Sequence, residues 1–246
     1  MIRGPRGLLV IRATNLRGAK DAAFRVSLLG PQVILLDLPE PAEGPVNEFL
    51  RHGDPEILLH HPSELVRISI RAHLRFLEEL HNLGYRGEVR CVADEGEALQ
   101  ELELGSEASR LTLRYLLTGR VDVEMWRGLL RNALRGESWK PAVNLLYALE
   151  EVGESWAAVL DIRRLRAVRP ISTSGLVDLV LCGLPFCRSP LEEMLRLERI
   201  GRLTDERLRA LVAEQAEFVR VVQTSPDLET AYERWTNRCL GAWACG

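Results

Sequence analysis

A chain of 246 residues, 46% of them hydrophobic, is long enough to bury one large core or two small ones. Its 32 basic and 35 acidic side chains leave a formal net charge of -3, which argues against a general electrostatic grip on nucleic acid or anionic lipid. No run of 18 or more apolar residues offers a membrane span, and the N-terminal MIRGPRGLLVIRATN lacks the cleavage signature of a signal peptide, so a cytoplasmic protein is expected.

In chain order, GLLVIRAT (7–14) reads as a strand and GAKDAAFRVSLLG as a helix closed by Gly30. QVILLDLP (32–39) is a second strand, an unbroken apolar run of the kind covered on both faces. The proline-rich PEPAEGP leads to a short helical VNEFLRHG and a third short strand, EILLHH (56–61). One long helix is expected from Ser63, its N-cap, to about Leu83. At 100° per residue it gathers Leu65, Val66, Ile68, Ala72, Phe76, Leu77, Leu80 and Leu83 on one face, opposite Arg67, Arg71, Arg75 and Glu78. EVRCVAD (88–94) is a fourth strand.

Beyond Asp94 the pattern turns helical, with SPLE at Ser189–Glu192 forming a capping box. SWAAVLDIRRL and GLVDLVLCGL are ambiguous between helix and strand, and one or both can return to the sheet. The expected fold class is α/β, a mostly parallel sheet flanked by helices with a large helical C-terminal portion. Residues 1–100 form the sheet domain, and 101–246 are mainly helical, read either as a second domain or as an insertion that returns to the same sheet.

Open parallel sheets bind ligands where the loops leave the carboxyl ends of their strands. That rule collects Thr14, Asn15 and Arg17 after the first strand, Asp37 and Glu40 after the second, His60 and His61 after the third, and Asp94 after the fourth. One histidine with two aspartates suits either a divalent metal or acid–base hydrolysis. Asp37, His61 and Asp94 are therefore the catalytic candidates, with Asn15, Arg17, Glu40 and His60 as ligand-binding neighbours. The plainer alternative is that strand ends simply meet solvent. His73 falls amid the apolar helical face and reads as a hydrogen-bonded core histidine; His81 lies at its edge. No G-x-S-x-G, Walker-type or G-x-G-x-x-G motif occurs. STSG (172–175) reads as a plain loop or an anion cradle.

Arg127, Arg131 and Arg135 recur every fourth residue, a stripe that could hold phosphates or, more plainly, be a solvated face partly paired through Glu124. Lys20 and Lys140 are the only lysines, an arginine bias that fits bidentate carboxylate pairing, a GC-rich genome or a heat-loving source. Four of the five cysteines fall into the pairs Cys182/Cys187 and Cys239/Cys245, whose spacings are looser than usual zinc spacing, so thiols or disulfides are expected. Cys91 reads as a small core residue.

The order LLVIRATN, helix, GPQVILLDLPEPAEGPVNEFLRHGDPEILL, long helix, GYRGEVRCVAD resembles the superfamily that joins TraB and GumN proteins, ChaN-like haem-binding proteins and erythromycin-esterase-like proteins. The resemblance covers residues 7 to about 95. It places Arg12 and Asn15 where the family carries a glycine and a histidine, and Asp37 where it carries an acidic residue; no histidine follows His81. It implies a metal-assisted or acid–base hydrolase of unspecified substrate, with a divalent metal as the cofactor to test. The alternative is a non-catalytic ligand-binding or protein-interaction module derived from such a fold. Partners are then a small molecule or a protein, with nucleic acid and membrane not expected and homo-oligomerisation left open.

Overall fold

Apolar runs, buried in both phases in the central strands, build one all-parallel sheet of five strands. They are β1 (Arg6–Arg12), β2 (Val33–Pro39), β3 (Glu88–Ala93), β4 (Ser155–Asp161) and β5 (Asp178–Cys182), in the spatial order β3-β2-β4-β1-β5. The computed structural model describes residues 6–136, 140–152, 155–166, 168–169 and 177–244. The expected α/β class is what the chain adopts. Both ambiguous runs, SWAAVLD and DLVLC, are strands of this sheet, and the first of them lies at its centre.

The chain forms two compact units, each discontinuous in sequence: Met1–Ala98 with Ser138–Leu184, and Leu99–Glu137 with Pro185–Gly246. In the first, Val10, Ile34, Leu36, Ala157 and Val159 pack on one side against α1 (Leu16–Leu29), α2 (Glu43–His52), α4 (Glu64–Arg71) and α5 (Leu74–Asn82). The alternate residues Leu9, Ile11, Leu35, Trp156, Ala158 and Leu160 pack on the other side with Leu145 of α8 (Lys140–Glu151). Burial of both phases is why these strands read as continuous apolar runs rather than as alternations. Gly7 is required by the same packing, because a Cβ there would stand 2.2 Å from the Trp156 ring.

Two expected elements differ. EILLHH is not a strand: Glu56–Leu59 is a single helical turn, α3, started by Pro55 and by the Asp54 carboxylate accepting from the Glu56 amide at 3.0 Å. A three-residue apolar run carries too little periodicity to separate a helical turn from a strand. The expected single helix over 63–83 is two helices, α4 and α5, parted at Ala72–His73. There the His73 amide closes early on the Ile70 carbonyl at 2.8 Å, and the Arg12 guanidinium donates to the Ala72 carbonyl. Ser63 is the N-cap as expected, its hydroxyl accepting from the Val66 amide.

The outer edge of β3 is covered by side chains of α2. Asn47 both donates to the Val89 carbonyl at 2.7 Å and accepts from the Val89 amide at 2.9 Å, and Glu43 accepts from the Cys91 amide at 3.0 Å. A carboxamide set beside a strand in this way mimics a neighbouring peptide group and blunts the edge.

The second unit is helical: α6 (Glu95–Thr118) continues into it, followed by α7 (Val123–Gly136), α9 (Pro190–Arg199), α10 (Asp205–Gln223) and α11 (Leu228–Ala244). Trp126 and Leu130 of α7 pack with Met194, Leu208, Leu211 and Val212. The SPLE capping box is formed at the start of α9. The arginine stripe on α7 is an internal clamp for two of its members. Arg127 donates to Glu198 at 3.0 Å, to Asp205 at 2.6 Å and to the Leu203 carbonyl, and Arg131 donates to Glu198 at 3.1 Å. No helix among the described residues is long and apolar enough to cross a membrane.

Candidate functional site

The carboxyl ends of the central strands carry a cluster of charged side chains that the hydrophobic pattern alone does not announce. Arg12 and Asp161 close β1 and β4 as register partners on adjacent strands, and both are buried. Asp161 accepts from the Thr14 hydroxyl at 2.7 Å and, through its other oxygen, from the backbone amide and the side chain of Arg163, both at 2.8 Å. Burial pushes the Asp161 carboxyl up, but the Arg163 charge, the amide and the Thr14 hydroxyl outweigh it and hold the group well below the usual carboxylate range.

Asp37, at the end of β2, joins the same cluster. Its carboxylate accepts from the Asp161 amide at 3.4 Å and from Arg164 at 3.2 Å, and Arg164 also pairs with Glu97 in the first turn of α6. His73, at the break between α4 and α5, is buried, and its ring hydrogen-bonds the backbone of Asp37. Its Nδ1 is buried without a hydrogen-bond partner. Burial lowers its proton affinity well below that of an ordinary histidine, and the Arg12 charge lowers it further; Asp161 opposes and Arg163 adds to the lowering. His73 is therefore a neutral imidazole at neutral pH. Arg12 also lies over the Phe76 ring, 5.6 Å from its centroid.

The residues collected by the strand-end rule have varied placements. Asn15 is a structural clip. Its Oδ1 caps α1 by accepting from the Gly18 amide at 2.6 Å, and its Nδ2 donates to the Gly183 carbonyl at 2.9 Å. Gly183 has φ +81 and could not carry a side chain, since a Cβ would meet Asn15 Oδ1 at 2.6 Å. Arg17 is exposed and donates to the Leu184 carbonyl at 3.2 Å. Glu40 opens a short 3-10 turn and is exposed.

Because 56–59 is helical, His60 and His61 leave a helical turn rather than a strand. His60 is exposed and pairs with Glu56 on its own turn, and His61 Nδ1 accepts from the Ser63 amide at 3.2 Å while its carbonyl accepts from Arg67. Asp94 caps α6, accepting from the Glu97 amide at 3.0 Å. Of the three catalytic candidates, Asp37 bonds within the Arg12–Asp161 cluster, to the Asp161 amide and to Arg164.

The side chains that the strand-end reading missed are Arg12, His73, Asp161, Arg163, Arg164 and Glu97. Asp161 carried a usable signal: SWAAVLD ends an apolar run on an aspartate just as QVILLD does. His73 carried none, because its helical position marks it as core and only the fold brings that core position to the strand ends. STSG (172–175) lies outside the described residues. Among the described residues no group of three or more His, Cys, Asp or Glu side chains is disposed to hold a metal ion. Two open grooves lie elsewhere. One of about 470 Å³, lined by Asn47, Arg51, Tyr85 and Glu88, reaches the amino end of β3, and one of about 580 Å³ in the second unit is lined by Arg114, Thr118 and Asp122. Compared with known proteins, the chain matches no family model, no curated protein and no solved structure.

Proposed function

We propose that this chain is a hydrolase of the acid–base kind, acting on a small molecule at the carboxyl ends of β1, β2 and β4. The observation that carries the proposal is His73, a buried neutral imidazole whose Nδ1 has no hydrogen-bond partner, set among Arg12, Asp161 and the backbone of Asp37. A neutral imidazole can take a proton from an attacking water, Asp161 then offsets the imidazolium charge, and the Arg12 guanidinium offsets negative charge developing on the substrate. In this reading His73 and Asp161 act with Asp37, in the roles that the strand-end rule assigns to His61 and Asp94. Side-chain acid–base chemistry is preferred to a divalent metal because the described donors do not group as ligands. A distant relation to the TraB, GumN and erythromycin-esterase-like superfamily belongs to the same proposal, supported by the order of strands and by the carboxylate of Asp37. A cytoplasmic location goes with it.

A panel of chromogenic p-nitrophenyl esters and phosphates tests the reading. Turnover of at least one is expected, with kcat/KM reduced about 100-fold or more in His73→Gln and Asp161→Asn. A His73→Gln variant that turns over every substrate at the wild-type rate would sink the assignment. One observation favours a second reading, a non-catalytic module. Asp37, Arg164 and Glu97 form a continuous chain of ion pairs, so the cluster can serve to lock the loops over the sheet. In that case the panel shows no turnover, and Arg164→Ala lowers the thermal midpoint.

A further inference from the structure

Residues 185–189, which lead into α9, lie along one face of α11. The Phe186 ring stacks on Tyr232, with centroids 5.8 Å apart, and the Cys187 amide donates to Thr236 Oγ1 at 3.2 Å. The Trp235 indole N–H donates to the Arg188 carbonyl at 3.0 Å. Tyr232 and Trp235 are in turn held edge-on by Phe218 of α10. Tyr232, Trp235, Thr236 and Cys239 fall at i, i+3, i+4 and i+7 and so share one helical face. The segment is thereby fixed residue by residue against that face, and Cys187 is seated one turn before Cys239. The Cys187 thiol adjoins that of Cys239, and both are half-buried.

We propose that Cys187 and Cys239 are a dithiol–disulfide pair, a covalent cross-link site that ties the segment before α9 to α11. The two cysteines are far apart in sequence, and the pairing cuts across the two sequence-local pairs, Cys182/Cys187 and Cys239/Cys245. Cys182 ends β5 in the first unit, and Cys245 lies outside the described residues. Burial, then the hydrogen bond to Cys239, pushes the Cys187 thiol up to about 12.

With glutathione disulfide as the oxidant, the thiolate of one of the two cysteines attacks one sulfur of that disulfide, its S–S bond breaks, and one glutathione leaves with a proton. The other cysteine then loses its proton and attacks the protein sulfur of the mixed disulfide. The Cys187–Cys239 bond forms as the second glutathione leaves. Two protein thiols are oxidised by two electrons and one glutathione disulfide is reduced to two thiols.

The test incubates the full native chain with glutathione disulfide, blocks remaining thiols and maps the peptides by mass spectrometry. A peptide holding Cys187 joined to one holding Cys239 is expected, with a thermal midpoint about 5–10 °C above that of the reduced chain. Cys187→Ser and Cys239→Ser should each abolish the link and the shift, and Cys245→Ser should keep both. A link between Cys239 and Cys245 or between Cys182 and Cys187, or no link in the native chain, overturns the proposal.

Discussion

His73 is buried as a neutral ring, and that fixes how it responds to acid. Its proton affinity in the fold lies well below the ordinary value of 6.5, so on acidification the unfolded chain takes up that proton first. Its contribution is fully present above the ordinary value and is lost as pH falls from there toward the folded-state value. Asp161 acts in a separate, lower window, since its folded carboxyl is held below the usual carboxylate range and its contribution is lost only beneath that range. Between pH 7 and pH 5 the thermal midpoint of the wild-type chain should therefore fall further than that of His73→Gln. Equal falls would show that the fold accommodates the imidazolium without cost. Of the cluster around His73, sequence reasoning reaches Asp37 and misses Asp161, although SWAAVLD ends on an aspartate as QVILLD does. Arg12 and His73 escape it because a charged residue inside an apolar strand and a histidine inside an apolar helix face both look like accommodated core residues until their neighbours are known.

At the scale of elements, the edge of β3 is covered by Asn47 and Glu43 of α2. Asn47 supplies both a donor and an acceptor to Val89, so Asn47→Ala leaves a strand amide and carbonyl without their partners. That substitution should destabilise the chain by about 1–3 kcal/mol in urea unfolding and open the edge to strand addition by a second molecule. Light scattering that rises with concentration in the variant alone would register the opening; unchanged scattering and stability would show that water replaces Asn47 fully. Strands β1, β2 and β3 were legible because turn residues bracket each of them, and Gly30 and Ser63 mark helix ends as helix ends usually are marked. Strand β4 was ambiguous for a physical reason: a run buried on both faces has no alternation to show, and its length alone does not exclude a buried helix. The α3 turn was misread on the same ground. The break at Ala72–His73 depends on Arg12, sixty residues earlier in the chain, so no local pattern foretells it.

The whole molecule is organised by where β4 falls. It lies between β2 and β1, although the chain makes β1, β2 and β3 first and passes through α6 and α7 of the second unit before returning. A chain ending at Ala98 thus holds three strands of the sheet but lacks the one that joins β1 to β2. Such a fragment should show no cooperative thermal transition by circular dichroism, whereas a sharp transition would mean that β1 and β2 can pair directly. The placement of β4 also sets the timing of folding during synthesis. At typical elongation rates the residues between Ala93 and Ser155 take about 3–12 s to make. Throughout that interval the facing edges of β1 and β2 are unpaired on the ribosome, open to mispairing and to chaperones that bind exposed strands. The segment that builds the first part of the second unit is therefore also a delay, and the emergence of Ser155–Asp161 is the event that ends it.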